Sequence, residues 1–181
     1  MDHNHHHHDH EHAMPMKRAL DPTSHSIKDY VPLLVVFGFV GVSSAVHVAT
    51  WGGGLAHWMA AIMGYFFVYF SLFKLIDLPG FAEGFRHYDI LAQRLPIWAW
   101  IYPFVELGLG VLYLLGVDTP GLHLATLLVT ALNVVSVAVK LAKKEVFMCA
   151  CLGTVLKVPL TTVTLIEYGV MGLMAVAMLV R

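Results

Sequence analysis

Residues 55–78 read LAHWMAAIMGYFFVYFSLFKLIDL, with no Asp, Glu, Lys or Arg before Lys74. A bilayer core about 30 Å thick is crossed by roughly 20 apolar residues of α-helix. Lipid offers no hydrogen bonds to backbone N–H and C=O groups, so an open strand is excluded and the helix is the one state left for such a run. Four more apolar runs flank this one, at 31–50, 97–117, 121–140 and 158–180. The whole chain of 181 residues is 58% hydrophobic and 13% charged, with a mean hydropathy of +0.71. Soluble domains run near about 45–50% apolar and about 25% charged. The chain therefore reads as an all-α integral membrane protein of about five transmembrane helices.

Charge orients the bundle. Lys17, Arg18 and Lys28 precede the first run. Lys74, Arg86 and Arg94 fall in or near the second connection, and Lys140, Lys143, Lys144 and Lys157 frame the fourth. The first and third connections carry no basic residue, and Arg181 alone falls on their side. The positive-inside rule makes the Lys-rich side cytoplasmic. The expectation is a multi-pass protein of a bacterial inner membrane, with its N-terminus inside and its C-terminus outside. No cleavable signal peptide is visible. The net charge of −1 gives nucleic acid no footing. Trp51, Trp58, Trp98 and Trp100 sit near run ends as interfacial anchors.

The longest connection, residues 79–96, places Phe81, Phe85, Tyr88, Leu91 and Leu95 at three- and four-residue steps. That pattern predicts one short amphipathic helix lying at the membrane interface. Lys74 and Asp77, three residues apart, are expected to pair along one helix face.

The chemistry concentrates at Met148-Cys149-Ala150-Cys151, which holds both cysteines of the chain. Thiolates are soft donors that favour Cu(I) and similar ions. Cys149 and Cys151, with Met148, suit a site of low coordination number better than tetrahedral zinc, which takes four ligands. The two thiols also form a candidate redox couple, although a cytoplasmic location keeps thiols reduced. The third reading is a pair of small buried hydrophobes. Lys143, Lys144 and Lys157 provide a positive neighbourhood that favours the thiolate.

The first twelve residues hold His3, His5, His6, His7, His8, His10 and His12 among Asp2, Asp9 and Glu11. Imidazole ligates zinc, copper and nickel. Residues 1–27 read as a disordered His-rich tail that gathers metal, with an expression tag or a solvated tail as the alternative. Residues 28–181 form the bundle. Glu106 and Glu167 fall within apolar runs, where a charge costs about 2.5–3.5 kcal/mol on insertion scales. They mark either a polar path or hydrogen-bonded helix glue to Thr, Tyr or Asn133. His47, His57, Met59 and Met63 make a candidate metal site on the outer side, with packing and interfacial anchoring as the simpler account.

Several stretches carry a family resemblance: Phe73-Lys74-Leu75-Ile76-Asp77-Leu78-Pro79-Gly80-Phe81, Tyr88-Asp89, Tyr102-Pro103-Phe104-Val105-Glu106-Leu107-Gly108-Leu109-Gly110, Cys149-Ala150-Cys151-Leu152-Gly153 and Pro159 through Glu167. In this order they resemble the MauE/DoxX-like family of redox-associated bacterial membrane proteins, over about residues 28–181. The resemblance implies a four-helix core with one added N-terminal helix. It also implies a link to thiol–disulfide chemistry of exported proteins, and it supplies no catalytic residues.

The residues themselves lead to handling of soft or transition metal ions, copper favoured, by the Cys-x-Cys pair and the tail. The alternatives are a thiol–disulfide membrane protein and a non-catalytic subunit that stabilises a membrane complex. A conventional enzyme is not expected. Expected partners are the lipid bilayer and a metal chaperone, a thiol-redox partner or a larger complex. No organic cofactor is evident.

Overall fold

The computed structural model describes residues 31–142, 148–149, 158–159 and 162–181. The described residues form seven helices in order: α1 (Val31–Trp51), α2 (Leu55–Ile76), α3 (Leu78–Tyr88), α4 (Ile90–Arg94), α5 (Pro96–Leu114), α6 (Pro120–Ala142) and α7 (Thr162–Val180). Between α6 and α7 a two-residue antiparallel ladder joins β1 (Met148–Cys149) to β2 (Val158–Pro159). The architecture is otherwise all-α.

Helices α1, α2, α5 and α6 are long and apolar enough to cross a membrane, and α7 is apolar through Glu167–Val180. Their outward faces are as apolar as their inward ones. Phe39, Val42, Phe104, Leu128 and Leu173 are all exposed. A helix apolar on every side belongs in lipid rather than water.

The packing rests on two helix pairs, α2 with α5 and α6 with α7, and α1 leans on α2. Lipid tails give helices no hydrophobic reason to associate, so close backbone approach and hydrogen bonds must hold them. At the α2/α5 crossing a Cβ on Gly110 would lie 2.9 Å from the Gly64 carbonyl oxygen and 3.0 Å from Phe67 Cβ. Only glycine fits there. Helix α1 is tied to α2 through Ser43 Oγ and Tyr69 Oη at 2.7 Å, and through His47 Nδ1 and Tyr65 Oη at 3.4 Å. The α1–α2 turn needs Gly53, at φ 127, where a side chain would also strike His57.

Three expectations change. The 79–96 connection is two helices rather than one, because Asp89 interrupts the run: its Oδ1 accepts from the Ala92 N–H at 2.8 Å and starts α4. Phe81, Phe85 and Tyr88 are buried against protein instead of lying on lipid, and the Phe85 ring stacks on Tyr102 of α5 at 4.7 Å. The fifth apolar run opens on β2, whose Pro159 has no N–H to give a helix interior, and its described helix spans Thr162–Val180.

The odd connections gather at one end. His57, Met59, Asp118, Met178 and Arg181 line a cavity of about 490 Å³ there. Arg86, Arg94 and Lys140 belong to elements at the opposite end.

The glycine contact is testable by thermal unfolding in detergent. Gly110→Ala should lose about 1–3 kcal/mol by overpacking. Gly108→Ala, with nothing within 4 Å of its added Cβ, should be neutral or gain up to about 1 kcal/mol of helix propensity.

Candidate functional site

The polar centre of the bundle is built on Lys74 of α2 and Glu106 of α5. Lys74 Nζ donates to Glu106 Oε2, and the two side chains are 1% and 0% exposed. Helical side chains lean toward the N-terminus, so a lysine near the C-terminal end of α2 aims inward, back along the bundle. The aromatic rings of Tyr102 and Phe81 complete its surroundings, with centroids 4.8 and 5.6 Å from Nζ. Such faces attract an ammonium.

Tyr102 sits one turn before Glu106 and donates its hydroxyl hydrogen to Glu106 Oε1 at 2.6 Å. The same hydroxyl oxygen accepts from Asn133 Nδ2 of α6 at 2.9 Å. One chain of hydrogen bonds thus runs from α2 through α5 to α6. Tyr168 of α7 is buried and close enough to act on Tyr102. The expected pairing of Lys74 with Asp77 gives way to Glu106: Asp77 Oδ1 accepts from the Gly80 N–H at 3.1 Å and caps α3. Lys74 is therefore not one of the flanking surface charges.

Below this centre, Asp89 is buried and accepts from Ser136 Oγ of α6 at 3.0 Å. Burial raises its carboxyl above the ordinary range, against the lowering effect of the Ala92 N–H and Ser136 hydroxyl.

The two carboxyls marked in the sequence have different fates. Glu106 is fully satisfied. Glu167 on α7 is 8% exposed, and its Oε1 has no hydrogen-bond partner among the described residues. It lines an apolar cavity of about 290 Å³ with Phe37 of α1 and Phe66 of α2.

At the other end the structure brings His47 and His57 together, with ring centroids 5.3 Å apart. Met59 joins His57 on the large cavity, while Met63 is buried in the core. Close by is a cluster the sequence reading missed. Buried His123 places Nε2 2.8 Å from Asp118 Oδ1 and Nδ1 3.1 Å from the Tyr113 hydroxyl. That hydroxyl also bonds Thr126 Oγ1 at 3.1 Å. The only prior signal was a histidine five residues from an aspartate at a helix start.

Among the described residues no group of three or more His, Cys, Asp or Glu stands ready to hold a metal ion. For Cys149 and Met148 the ladder is described, pairing Cys149 with Val158 and Met148 with Pro159. Cys151 and the tail ligands His3, His5, His6, His7, His8, His10 and His12 lie outside the described residues.

A family model described as methylamine utilisation protein MauE matches residues 53–181. No curated protein and no solved structure matches the chain.

The buried pair predicts a thermodynamic cycle. Lys74→Met alone should cost about 3–5 kcal/mol by stranding a carboxylate, and adding Glu106→Leu should recover most of that. Unfolding of the three forms in detergent measures it. Asp89 predicts a pH effect. Its folded-state pKa lies above its unfolded one, so its stability contribution is fully present below the unfolded value. It is lost as pH rises through the folded value. Melting temperature should fall from acid toward neutral pH, and the Asp89→Asn variant should flatten that slope.

Proposed function

The chain belongs to the MauE family, and from that premise we propose that it is a redox-associated membrane protein whose working thiols are Cys149 and Cys151. The observation that carries this reading is the extent of the family match. Residues 53–181 include the α2–α7 bundle and both cysteines of the chain. The β1–β2 ladder adds a backbone reason: it anchors Cys149 opposite Val158, just ahead of α7.

The chemistry is dithiol–disulfide exchange with a thiol-redox partner. One thiolate attacks a sulfur of the partner's disulfide, a mixed disulfide forms, and the partner's other sulfur leaves as thiolate. The second cysteine then attacks its neighbour's sulfur and releases the partner as a dithiol, leaving Cys149–Cys151 oxidised. Electrons and protons balance between the two proteins. We place the pair on the cytoplasmic side of a bacterial inner membrane, with the C-terminus outside. Arg86, Arg94 and Lys140 at the end opposite Arg181 support that orientation.

A second reading keeps soft-metal handling, copper favoured. It uses Cys149, Cys151 and Met148, with the His-rich tail as collector. The observation in its favour is at the other end, where His47 and His57 adjoin and His57 Nε2 is buried without a partner among the described residues.

Single Cys149→Ser and Cys151→Ser variants separate the two. The redox reading expects one of them to trap a mixed disulfide in cells, resolved by nonreducing electrophoresis. Cysteines that stay reduced in every condition, with no trapped partner, would sink it. The metal reading expects stoichiometric Cu(I) on a form lacking residues 1–13, abolished when both cysteines become serine.

A further inference from the structure

Asp118 is an exposed carboxylate held from behind by buried groups. Its side chain is 58% exposed, yet its Oδ1 accepts from Nε2 of His123, which is 2% exposed. His123 is held in turn by the Tyr113 hydroxyl, and that hydroxyl by Thr126. A carboxylate fixed through one oxygen keeps its second oxygen for another donor. The helix start does not use it: Thr119 Oγ1, not Asp118, accepts from the Leu122 N–H at the beginning of α6.

The same carboxylate lines the cavity of about 490 Å³ at this end of the bundle, and so does Arg181. Arg181 is exposed and has no ion-pair partner among the described residues. An acid and a base therefore share one cavity without bonding each other. Leu55, Met59, Val117 and Met178 give it an apolar wall. We propose that this cavity binds a zwitterion, with a primary ammonium on Asp118, a carboxylate or phosphate on Arg181 and a small apolar portion against Met59 and Met178. A lone cation would face Arg181, and a lone anion would face Asp118. A guanidinium suits the paired oxygens of a carboxylate or phosphate. The volume is that of a small-molecule site. The cavity forms where α2 begins and α7 ends, so it meets both water and lipid headgroups. An α-amino acid with an apolar side chain and the phosphoethanolamine head of a membrane lipid share this chemistry. The site is independent of the cysteines.

The test uses the full chain in an uncharged detergent, with binding followed by calorimetric titration. The zwitterions are leucine and dihexanoyl phosphatidylethanolamine. Their single-charge analogues are N-acetylleucine and leucine methyl ester for the first, and dihexanoyl phosphatidylglycerol for the second. Leucine, the short-chain lipid or both should bind saturably, and the tighter of the two identifies the source. Each single-charge analogue should bind about tenfold more weakly than its parent. Arg181→Gln and Asp118→Asn should each weaken the bound zwitterion about tenfold, the loss of one charge-assisted hydrogen bond. Both positions are exposed, and an unchanged melting temperature confirms that the variants fold. Ala177→Trp, at an exposed position on the cavity wall, should fill the space and abolish binding. Absence of saturable binding by either zwitterion overturns the proposal. So does a single-charge analogue that binds as tightly as its parent, or unchanged affinity in both Arg181→Gln and Asp118→Asn.

Discussion

The bond between Lys74 and Glu106 is the constraint on which the arrangement of the bundle turns. An ammonium and a carboxylate removed from water repay their desolvation only when each has further partners. Both do here. Glu106 has the Tyr102 hydroxyl on its second oxygen, and Lys74 has two aromatic faces. The need to complete that shell explains the position of α3. Phe81 and Phe85 must reach the Tyr102 ring, so the segment after α2 folds back under α5 instead of spreading along the membrane surface. The same shell reaches α6 through Asn133. A single charge pair thus sets the relation of four elements.

Shape finishes what charge begins. On α5, Glu106 and Gly110 are one turn apart and share a face. Glu106 selects the partner helix, and Gly110 lets its backbone come close to Gly64. Neither device suffices alone in lipid, where apolar contact is as good with solvent as with protein. The α6/α7 pair is less tightly constrained: an added Cβ on Gly172 would meet Thr130 Oγ1 at 3.4 Å, an ordinary contact.

The long apolar helices were legible in the sequence because lipid dictates both their length and their backbone state; of the five expected crossings, four are long and apolar enough among the described residues, and the last is a shorter apolar stretch of α7. The partner of Lys74 was not. Its neighbour in the chain, Asp77, looked adequate, and the true partner lies 32 residues away. The face of α3 was misread for a related reason. Periodicity reveals that Phe81, Phe85 and Tyr88 share a side, and is silent on whether that side meets acyl chains or an aromatic ring. Asp89 broke the helix through a side-chain bond to Ala92, a local signal present in the sequence and outweighed there by the apolar pattern. His47 and His57 come together because a tight glycine turn leaves adjacent helix ends little freedom, whereas the Asp118–His123–Tyr113 cluster needed a fold to bring Tyr113 round.

Glu106 and Glu167 were indistinguishable in the sequence, both being single acids in apolar runs. The structure separates them by what surrounds them. Glu106 is enclosed by donors and makes a joint. Glu167 is surrounded by methionine and phenylalanine, with one oxygen unbonded among the described residues. Replacing both partners of such a joint with well-packed apolar residues often costs little stability, but it loses the partner selection that the pair supplies. An unpaired acid buried beside an apolar cavity is different, because an apolar residue in its place removes the cost of the stranded oxygen and should improve the fold.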